Sequence, residues 1–518
     1  MTLGAIISRN ARMYPDKPAF VLGGRAVTFA EHNSRVNRLI HALHAHGLRA
    51  GDRLAILSRN SLEYLDVYGA GETGGFPVAP LNFRLTAGEL SGIVENIEPR
   101  ALFVQAPYFA TAAELADILG PDVLLVAMDG SAPSGWASLE GVLASASDAE
   151  AQMPVAPDDV CYLMSTSGTT GRPRAAMLTH RGQWLDALAL ALEMRLGAAD
   201  RHLATMPLFH VGGRAIVLAH TLRGCTVHLH DGFDASAVVR EIATHRLTTT
   251  QVVPTMVSWL LDEPLEGGDL SSLRLVWYAS APMPVELLRR AIDRLGPIFI
   301  QGYGQTESGP LATALAAEEH VLDGEAARRL ASCGRVVPGV DVRIVDADGA
   351  ERPSGEVGEV AIRSPFTMAG YWRAPELTAE TILDGWLRTG DMARADPLGY
   401  VYIVDRKKDM IISGGENVYP RELEEVLYQH PGVLEAAVIG VPHPVWGESP
   451  CALVVARPGV EVGGQELIEF CRERLAHYKC PSAVEFREDL PKSASGKILK
   501  RELRQPYVHA GVGGASSR

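Results

Sequence analysis

Short apolar runs alternate with helical patterns along the first half of the chain. The run Leu54–Leu57 predicts a buried strand, and Ser61 is placed to cap a helix that continues to about Ala70. Residues 77–80 and 102–104 predict further strands. Strands that alternate with helices usually pair in parallel, so the pattern predicts an α/β fold with doubly wound sheets. Ligands in such sheets bind beyond the carboxyl ends of the strands.

The pattern changes after about Cys333. Polar and apolar residues alternate over residues 340–345, a turn-like Asp348-Gly349 pair follows, and residues 358–362 form another short apolar segment. Alternation with period two and turn residues between the segments are typical of antiparallel strands. This stretch therefore predicts a small antiparallel sheet or β-barrel.

A separate unit is predicted after Asp405. Helical patterns occur near residues 420–429 and 465–476, and strand patterns near 436–439 and 451–455. The chain is long enough for about three folding units at roughly 100–200 residues each. We therefore expect a large N-terminal domain over residues 1–405, a hinge at 406–408, a small mobile α+β domain over 409–508 and a flexible tail at 509–518.

The amino-acid composition indicates which binding partners and which cellular compartment to expect. The net charge of -14 disfavours non-specific binding of nucleic acid, which needs Lys and Arg to neutralise phosphates. The six cysteines include no C-x-x-C pair, so we expect buried, reduced thiols rather than a zinc or redox site. The N-terminus does not resemble a signal peptide, and the apolar run 123–128 is far shorter than a membrane span. We expect a cytoplasmic protein without an integral membrane segment. The sequence leaves open whether it forms a homo-oligomer.

A segment rich in Ser, Thr and Gly follows the predicted strand at residues 160–164, and apolar residues 175–178 predict a return strand after it. Glycines let a backbone fold closely around an anion, hydroxyls donate hydrogen bonds to phosphate oxygens, and Arg supplies positive charge. The composition alone fits a flexible turn equally well, and the P-loop pattern is absent. The candidate phosphate-binding residues are Thr166, Ser167, Gly168, Thr169, Thr170, Gly171 and Arg174.

This segment resembles the signature loop of the adenylate-forming superfamily, in the branch of acyl-CoA synthetases that includes fatty-acyl- and 4-coumarate-type CoA ligases. Arg174 stands where the family usually has Lys; it keeps the positive charge, so we expect phosphate binding to be retained. Seven motifs in family order are far more specific than one. The resemblance continues with PLFH at 207–210, QGYGQTE at 301–307, TGD at 389–391, DRKKD at 405–409, GGENVYP at 414–420 and PKSASGK at 491–497.

The resemblance implies activation of a carboxylic acid by ATP with Mg²⁺. A carboxylic acid is already ionised at neutral pH, because its pKa lies near 4, and it needs no general base. The site should therefore offer cations and oriented donors to a charged transition state. In the family, the residue matching Glu307 holds Mg²⁺ and the residue matching Thr306 contacts the α-phosphate; the hydroxyl of Thr166 would complete the metal shell. Without that match, Glu307 would be interpreted as a solvated surface carboxylate.

The nucleotide site is also implied by the resemblance. Asp391 would accept hydrogen bonds from the ribose hydroxyls, and Arg406 would reach the same ribose. Tyr303 would stack on adenine, although core packing is the ordinary role of a lone tyrosine. Small residues would let the backbone approach the base, namely Ala279, Ser280, Ala281, Gly302 and Gly304.

Lys497 is implied to be the catalytic lysine, delivered by a mobile loop to the oxygens between the acid and the α-phosphate. The alternative is an exposed loop lysine. Because a reactive acyl-adenylate must be shielded from water and then meet a large thiol, the family moves its C-terminal domain between two poses. We place the pivot at Lys408, where an ordinary charged linker is the alternative. Gly414 and Gly415 would then line the tunnel for the pantetheine arm of coenzyme A.

The acid pocket is predicted around His210, which gates the acid site in related CoA ligases. A structural histidine is the alternative. Val211, Gly212 and Ala279, with Gly213, suggest a roomy apolar pocket, since glycines leave volume. Such a pocket suits an aryl, cinnamyl-like or medium- to long-chain aliphatic acid, and the sequence does not choose among them.

The chain is thus expected to be an acid–thiol ligase that uses ATP, Mg²⁺ and coenzyme A, with a small-molecule carboxylic acid as its other partner. Three alternative functions remain. A stand-alone adenylation enzyme that loads a carrier protein shares every motif. A silent nucleotide- or acyl-binding protein is supported only by Arg174, and Glu307, Asp391 and Lys497 argue against it. A luciferase-like oxygenase has no positive support.

Overall fold

Two mainly parallel sheets form the centre of the N-terminal part of the protein. The computed structural model describes residues 1–166, 174–263, 268–493 and 496–510, and for 508–510 it describes the backbone alone. Both sheets alternate strands with helices, as the apolar pattern predicted, and Ser61 caps the helix Leu62–Gly74 through its side chain.

The nine-stranded sheet pairs in parallel through its middle and antiparallel at both ends. Leu203, for example, lies opposite Thr250 in a parallel pair. The strands, in spatial order, are Arg335–Val336, Gly309–Leu315, Phe299–Gln305, Leu275–Tyr278, Thr249–Val252, Arg201–Ala204, Thr226–Leu229, Pro18–Leu22 and Arg25–Thr28.

The eight-stranded sheet contains the predicted strand–loop–strand unit. Its strand Val160–Thr166 pairs antiparallel with Arg174–Thr179, so that Thr166 lies opposite Arg174. This confirms the return strand expected after the Ser/Thr/Gly-rich segment. The strands, in spatial order, are Gly370–Tyr371, Arg174–Thr179, Val160–Thr166, Val78–Pro80, Leu54–Leu57, Ala101–Val104, Leu124–Ala127 and Ala137–Ser138.

A small antiparallel sheet follows, as predicted for the stretch after Cys333. It places Asp391 directly opposite Arg406 on neighbouring strands. Its strands are Asp341–Val345, Gly358–Arg363, Ile382–Leu383, Trp386–Ala395 and Val401–Arg406.

The C-terminal part forms its own sheet and its own apolar clusters. The helices Pro420–Leu427 and Gly464–Arg472 and the long hairpin Val433–His443 and Gly447–Ala456 confirm the predicted elements, within a few residues at their ends. The remaining strands of this sheet are Ile411–Ser413, Glu416–Val418 and Ala483–Phe486.

Helices cover both large sheets and fill the space between them. Leu62–Gly74 and Val211–Leu222 are buried on nearly all sides, which explains why their sequences lack a polar face. The remaining α-helices are Gly4–Met13, Phe29–Ala45, Ala87–Ile97, Phe109–Leu119, Leu139–Ala144, His180–Glu193, Ala235–His245, Pro254–Asp262, Val285–Leu295, Pro375–Thr381 and Lys500–Ala510.

Burial agrees with the interpretation of the cysteines. All six thiols are buried and free, as expected for reduced, apolar side chains. None of the helices in the described ranges combines enough length with enough apolar character to span a bilayer.

Candidate active site

A cleft of about 1820 Å³ lies where the N-terminal part, the small antiparallel sheet and the C-terminal part meet. Its walls come from all three. Thr166 and Arg174 contribute from the eight-stranded sheet, Glu307 from the nine-stranded sheet, Asp391 from the small sheet, and Lys497 from the C-terminal part. Residues far apart in the sequence thus share one space large enough for a nucleotide and an organic acid.

The segment predicted to bind phosphate is only partly covered by the described residues. Thr166 and Arg174 form the last pair of the antiparallel ladder, and both line the cleft. Ser167, Gly168, Thr169, Thr170 and Gly171 lie outside the described residues. The ladder fixes where the loop leaves and re-enters the sheet, and its predicted role stays a prediction.

Glu307 lies just beyond the strand Phe299–Gln305. The hydroxyl of Tyr371 donates a hydrogen bond to Oε1 of Glu307 at 3.0 Å. The guanidinium of Arg174 lies 5.8 Å from the centre of the Tyr371 ring. Burial, followed by the negative charge of Glu307, raises the pKa of Tyr371, so the phenol keeps its proton and remains a donor. Thr306, the neighbour of Glu307, also lines the cleft.

Asp391 is held by three partners in the cleft. It is 4% exposed. Its Oδ2 accepts hydrogen bonds from the hydroxyl of Tyr303 at 2.8 Å and from Nε2 of Gln305 at 2.7 Å. Its Oδ1 pairs with Nε of Arg406 at 2.8 Å. Burial works against the charge of Arg406, but the attraction of Asp391, together with that of Tyr303 and more distant carboxylates, raises the pKa of Arg406. Arg406 therefore stays protonated and paired with Asp391.

The small residues near Tyr303 are required by packing. A Cβ at Gly302 would lie 2.1 Å from Cζ2 of Trp277, and a Cβ at Gly304 would lie 2.5 Å from the backbone of Pro310. Neither position could hold a side chain without displacing its neighbour. Ala279, Ser280 and Ala281 follow the strand Leu275–Tyr278 and line the cleft beside Tyr303.

Ser280 has a φ of 72°, a left-handed conformation that is rare outside glycine. Such strain persists only where the surrounding structure imposes it, and it occurs often at binding sites. The wall formed by Ala279, Ser280 and Ala281 is therefore a candidate ligand contact on geometry as well as on resemblance.

Lys497 extends from the C-terminal part into the cleft. Its loop closes on the N-terminal part, since a Cβ at Gly496 would lie 2.9 Å from Cγ2 of Val253 and 3.0 Å from Oγ1 of Thr255. Burial lowers the pKa of Lys497 to about 8, and the positive charge of Arg406 contributes to the same shift. The lysine is thus within reach of the other candidate groups in this pose.

The segment predicted as a hinge crosses between the two parts of the chain. The amide of Lys407 donates to the carbonyl of Gly390 at 2.9 Å, while Nη1 of Arg504 donates to Oδ1 of Asp409 at 2.9 Å. Lys408 lies between these two anchors and lines the cleft. Its pKa is lowered by burial and by the charge of Arg406.

His210 caps the helix Val211–Leu222, because its Nδ1 accepts a hydrogen bond from the amide of Gly212 at 3.2 Å. Burial lowers its pKa, so the ring is neutral at physiological pH. A Cβ at Gly212 would meet Nδ1 of His210 at 3.5 Å and Nε2 of Gln251 at 3.6 Å, which is ordinary contact. Space is therefore left beside Gly212, which lines the cleft together with Val211 and Ala279.

Gly213 corrects part of the pocket prediction. A Cβ there would lie 2.5 Å from the carbonyl oxygen of Pro207. The glycine is needed for the helix to approach the preceding loop, and it does not line the cleft.

Gly414 and Gly415 are not brought to the cleft in this pose. They form the turn between the strands Ile411–Ser413 and Glu416–Val418, with φ values of 61° and 88° that glycine adopts easily. Trp446 packs on Gly414 and is 54% exposed. Their predicted role belongs to a second pose and stays a prediction.

Sequence reasoning missed three residues that contact the candidate groups. Gln305 lies within a recognised motif, and its amide secures Asp391, yet no role was assigned to it. Tyr371 and Gln251 carry no signal in the sequence. Each meets its partner only in the folded chain, since Tyr371 donates to Glu307 and Gln251 lies beside Gly212, both distant in sequence.

Comparison with known proteins follows the same division of the chain. Residues 7–372 match the family described as AMP-binding enzyme, and residues 422–497 match the AMP-binding enzyme C-terminal domain. A feruloyl-CoA synthase from Amycolatopsis sp is 42% identical over 98% of this chain and 99% of its own length. A fatty acid–[acyl-carrier-protein] ligase, ScoC from Streptomyces coeruleorubidus, is 38% identical over 98% of this chain and 96% of its own.

Among solved structures, ATP-bound MatB from Rhodopseudomonas palustris superposes with a TM-score of 0.88. It is 32% identical in sequence, and the match covers 98% of this chain and 99% of the other. The likeness extends over the N-terminal part and the C-terminal part together.

Proposed function

Because the chain belongs to the AMP-binding enzyme family, we propose that it is an AMP-forming acid–CoA ligase that activates a carboxylic acid with ATP and passes the acyl group to coenzyme A. Relatives with that kind of activity in their names match nearly the whole chain. The observation that supports the proposal most strongly is the meeting of Lys497 with Asp391, Arg406 and Glu307 in one cleft.

The first half-reaction joins the acid to the nucleotide. A carboxylate oxygen attacks the α-phosphorus of ATP, the bond to the β-phosphate breaks, and pyrophosphate leaves. The ammonium of Lys497 stabilises the negative charge that develops on the oxygens around phosphorus. Asp391 and Arg406 hold the ribose, and Tyr303 with the wall at Ala279 holds the base.

The donor set at Glu307 suits Mg²⁺. Glu307 and Thr166 offer only oxygen atoms, which this hard cation prefers, and the hydrogen bond from Tyr371 orients the carboxylate. When bound, Mg²⁺ would neutralise charge on the phosphate oxygens. Thr306 would contact the α-phosphate beside it.

The second half-reaction needs the C-terminal domain in another pose. The thiol sulfur of coenzyme A attacks the acyl carbonyl, the thiol proton is lost, and AMP leaves. In our proposal residues 1–405 remain in place, the domain 409–508 turns about Lys408 within the hinge 406–408, and Gly414 and Gly415 move to line the thiol tunnel. The loop before Lys497 would leave the cleft, as a site that excludes water and then admits a large thiol requires.

The acid is proposed to enter beside His210 and Gly212. The space there is bounded by apolar Val211 and Ala279, with the polar ends of Gln251 and Ser280 close by. Among aryl, cinnamyl-like and aliphatic acids, this mixture and the feruloyl-CoA synthase relative favour a cinnamyl-like aryl acid. The reducing cytoplasm is the proposed compartment, and the six free thiols favour it.

A panel of aryl and aliphatic acids with ATP, Mg²⁺ and coenzyme A tests the proposal. We expect AMP release together with an acyl-CoA of the correct mass, and the largest kcat/KM with a cinnamyl-like acid. A phosphopantetheinylated carrier protein should be assayed in parallel, because the ScoC relative favours this second function. Release of AMP with the carrier protein but not with coenzyme A would transfer the assignment to carrier loading. No adenylation with any acid would refute both.

A further inference from the structure

Two histidines and a glutamate meet outside the cleft, on the nine-stranded sheet. His228 lies in the strand Thr226–Leu229, and Glu241 and His245 lie one turn apart on the helix Ala235–His245. Residues four apart on a helix share one face, so Glu241 and His245 point together toward the strand. None of the three lines the cleft. From this arrangement we propose that His228, Glu241 and His245 form a binding site for a divalent transition metal, with Zn²⁺ as the ion that suits it best.

The distances between the candidate ligand atoms fit such a centre. Oε1 of Glu241 lies 3.5 Å from Nδ1 of His228 and 3.7 Å from Nε2 of His245. All three atoms lie within 4.8 Å of one another. Ligand bonds of about 2.0–2.1 Å place neighbouring ligands of a tetrahedral zinc about 3.4 Å apart. Two of the three separations are therefore already close to the required value.

Ordinary hydrogen bonding explains these distances less well. Good hydrogen bonds between nitrogen and oxygen measure about 2.7–3.2 Å, shorter than either contact of Glu241. A metal would thus displace weak interactions rather than strong ones. The remaining gap between the two rings can close by rotation of His245, whose side chain is 42% exposed.

The chemistry of the ligands selects the kind of ion. Two imidazoles and one carboxylate suit Zn²⁺ and its first-row neighbours, whereas Mg²⁺ and Ca²⁺ prefer oxygen ligands alone. Three protein ligands leave a fourth position for water.

One nearby charge opposes a cation. The guanidinium of Arg201 lowers the pKa of His228 electrostatically, and its Nη1 donates to the carbonyl of His245 at 3.0 Å. The carboxylate of Glu241 supplies the compensating charge inside the site. A metal there would connect the helix Ala235–His245 to the strand Thr226–Leu229, and so stabilise this part of the sheet without taking part in adenylation.

Cobalt is a direct probe of the site, because Co²⁺ replaces Zn²⁺ and absorbs visible light with an intensity that reports tetrahedral coordination. The full-length protein, stripped with a chelator and free of nucleotide, would be titrated with Co²⁺ and then with Zn²⁺ in competition. We expect one equivalent of Co²⁺ to bind with a tetrahedral spectrum and Zn²⁺ to displace it. Zn²⁺ should also raise the unfolding temperature, since it binds only the folded state.

Two variants of half-buried ligands distinguish this site from other metal-binding side chains of the protein. His245→Ala and Glu241→Gln remove half-buried ligands and should fold normally. Each should weaken Co²⁺ binding at least about tenfold and remove the Zn²⁺ effect on unfolding. His477→Ala, an exposed histidine in the C-terminal part, is the matched control and should bind as the wild type does.

The proposal is overturned by several clear results. Wild-type protein that binds no Co²⁺ or Zn²⁺ would exclude the site. Unchanged binding by both variants would place the metal elsewhere, as would a sulfur-to-cobalt charge-transfer band from a cysteine. Adenylation by His245→Ala should match the wild type, so a failure of this proposal is distinguishable from a failure of the proposed function.

Discussion

The two sides of the cleft hold their charges in opposite ways. On the side of the N-terminal part, Asp391 is surrounded by three partners at 2.7–2.8 Å, and its charge is fully compensated. On the side of the C-terminal part, Lys497 is largely buried and lies near Arg406 as well as Asp391; burial, followed by the charge of Arg406, lowers its pKa to about 8. Asp391 is therefore held by its partners before any ligand binds, whereas burial disfavours the charge of Lys497, which a bound anion would stabilise.

This difference separates binding from catalysis. A preorganised, satisfied carboxylate can receive ribose hydroxyls at little cost, and it should contribute to affinity in ground state and transition state alike. A lysine that gains most when charge develops on phosphorus lowers the barrier rather than the dissociation constant. Variants on each side of the cleft test that division.

Removal of the Lys497 side chain should lower the rate of adenylation more than any other change. We expect Lys497→Ala to lower the rate of adenylation about 10²–10³-fold, the typical cost of losing one preorganised group that stabilises transition-state charge. The affinity for ATP should change little. Pyrophosphate–ATP exchange measures the first quantity and calorimetry the second. Lys479→Ala, which breaks a surface pair with Glu422, is the control. Near-normal exchange by Lys497→Ala would refute the assignment.

Glu307→Gln should have the next largest effect. An amide has no charge to hold Mg²⁺, so we expect the exchange rate at limiting Mg²⁺ to fall about a hundredfold, with partial recovery at high Mg²⁺. The rate as a function of Mg²⁺ concentration checks this. Glu318→Gln, which changes an exposed pair with Arg195, should leave the curve unchanged. An unaltered Mg²⁺ requirement in Glu307→Gln would place the metal elsewhere.

Lys408→Pro tests whether the C-terminal domain must move relative to the N-terminal domain between the two half-reactions. Because proline fixes φ, it should hinder rotation at the pivot. We expect thioester formation to slow roughly tenfold, about 1.4 kcal/mol, and adenylation to slow less. Single-turnover assays starting from acid and ATP, and from preformed acyl-adenylate, measure the two steps. Equal damage to both would argue against two poses.

The lowered pKa of Lys497 gives a pH dependence. The protonated form is the active one, so kcat/KM for adenylation should fall as pH rises through about 8 and lose about tenfold between pH 7 and pH 9. Lys497→Arg keeps its charge in this range and should lack this alkaline limb, whatever its absolute rate. An alkaline limb of the same midpoint in Lys497→Arg would assign the titration to another group.

The smallest effect concerns the acid pocket. Gly212→Ala should preserve activity, because its Cβ would meet the nearest atom at 3.5 Å. Gly212→Leu should reduce kcat/KM for bulky aryl acids by about 1 kcal/mol, roughly fivefold, while sparing short aliphatic ones, since a displaced methylene costs at least that much. Equal losses for all acids would show that the residue does not line the acyl site.

Much of the fold could be predicted from local patterns. The apolar run Leu54–Leu57 and the cap at Ser61 specify a strand and a helix start through interactions within a few residues, and both were predicted correctly. The ends of the C-terminal strands were less accurate, because the long hairpin Val433–His443 and Gly447–Ala456 extends through pairing rather than through propensity. Pairing energy depends on the partner strand, which no local window contains.

The candidate site was predictable where its residues occur in dense motifs. Glu307, Asp391 and Lys497 all lie in the cleft. Gly213 was misjudged, since only the position of Pro207 shows that the glycine is needed for close packing. Tyr371 and Gln251 were missed because a lone tyrosine or glutamine has many ordinary roles.

The sequence alone determined the classes of element, the order of the motifs and the kind of chemistry they suggest, because these follow from residue type and short-range spacing. The tertiary structure decided which charges meet. It placed Arg406 against Asp391, Tyr371 against Glu307 and Lys497 in the same cleft, and it brought His228 to Glu241 and His245. The physical reason is that electrostatic and metal-binding interactions act over a few ångströms in space, and strand pairing and domain docking alone set those distances.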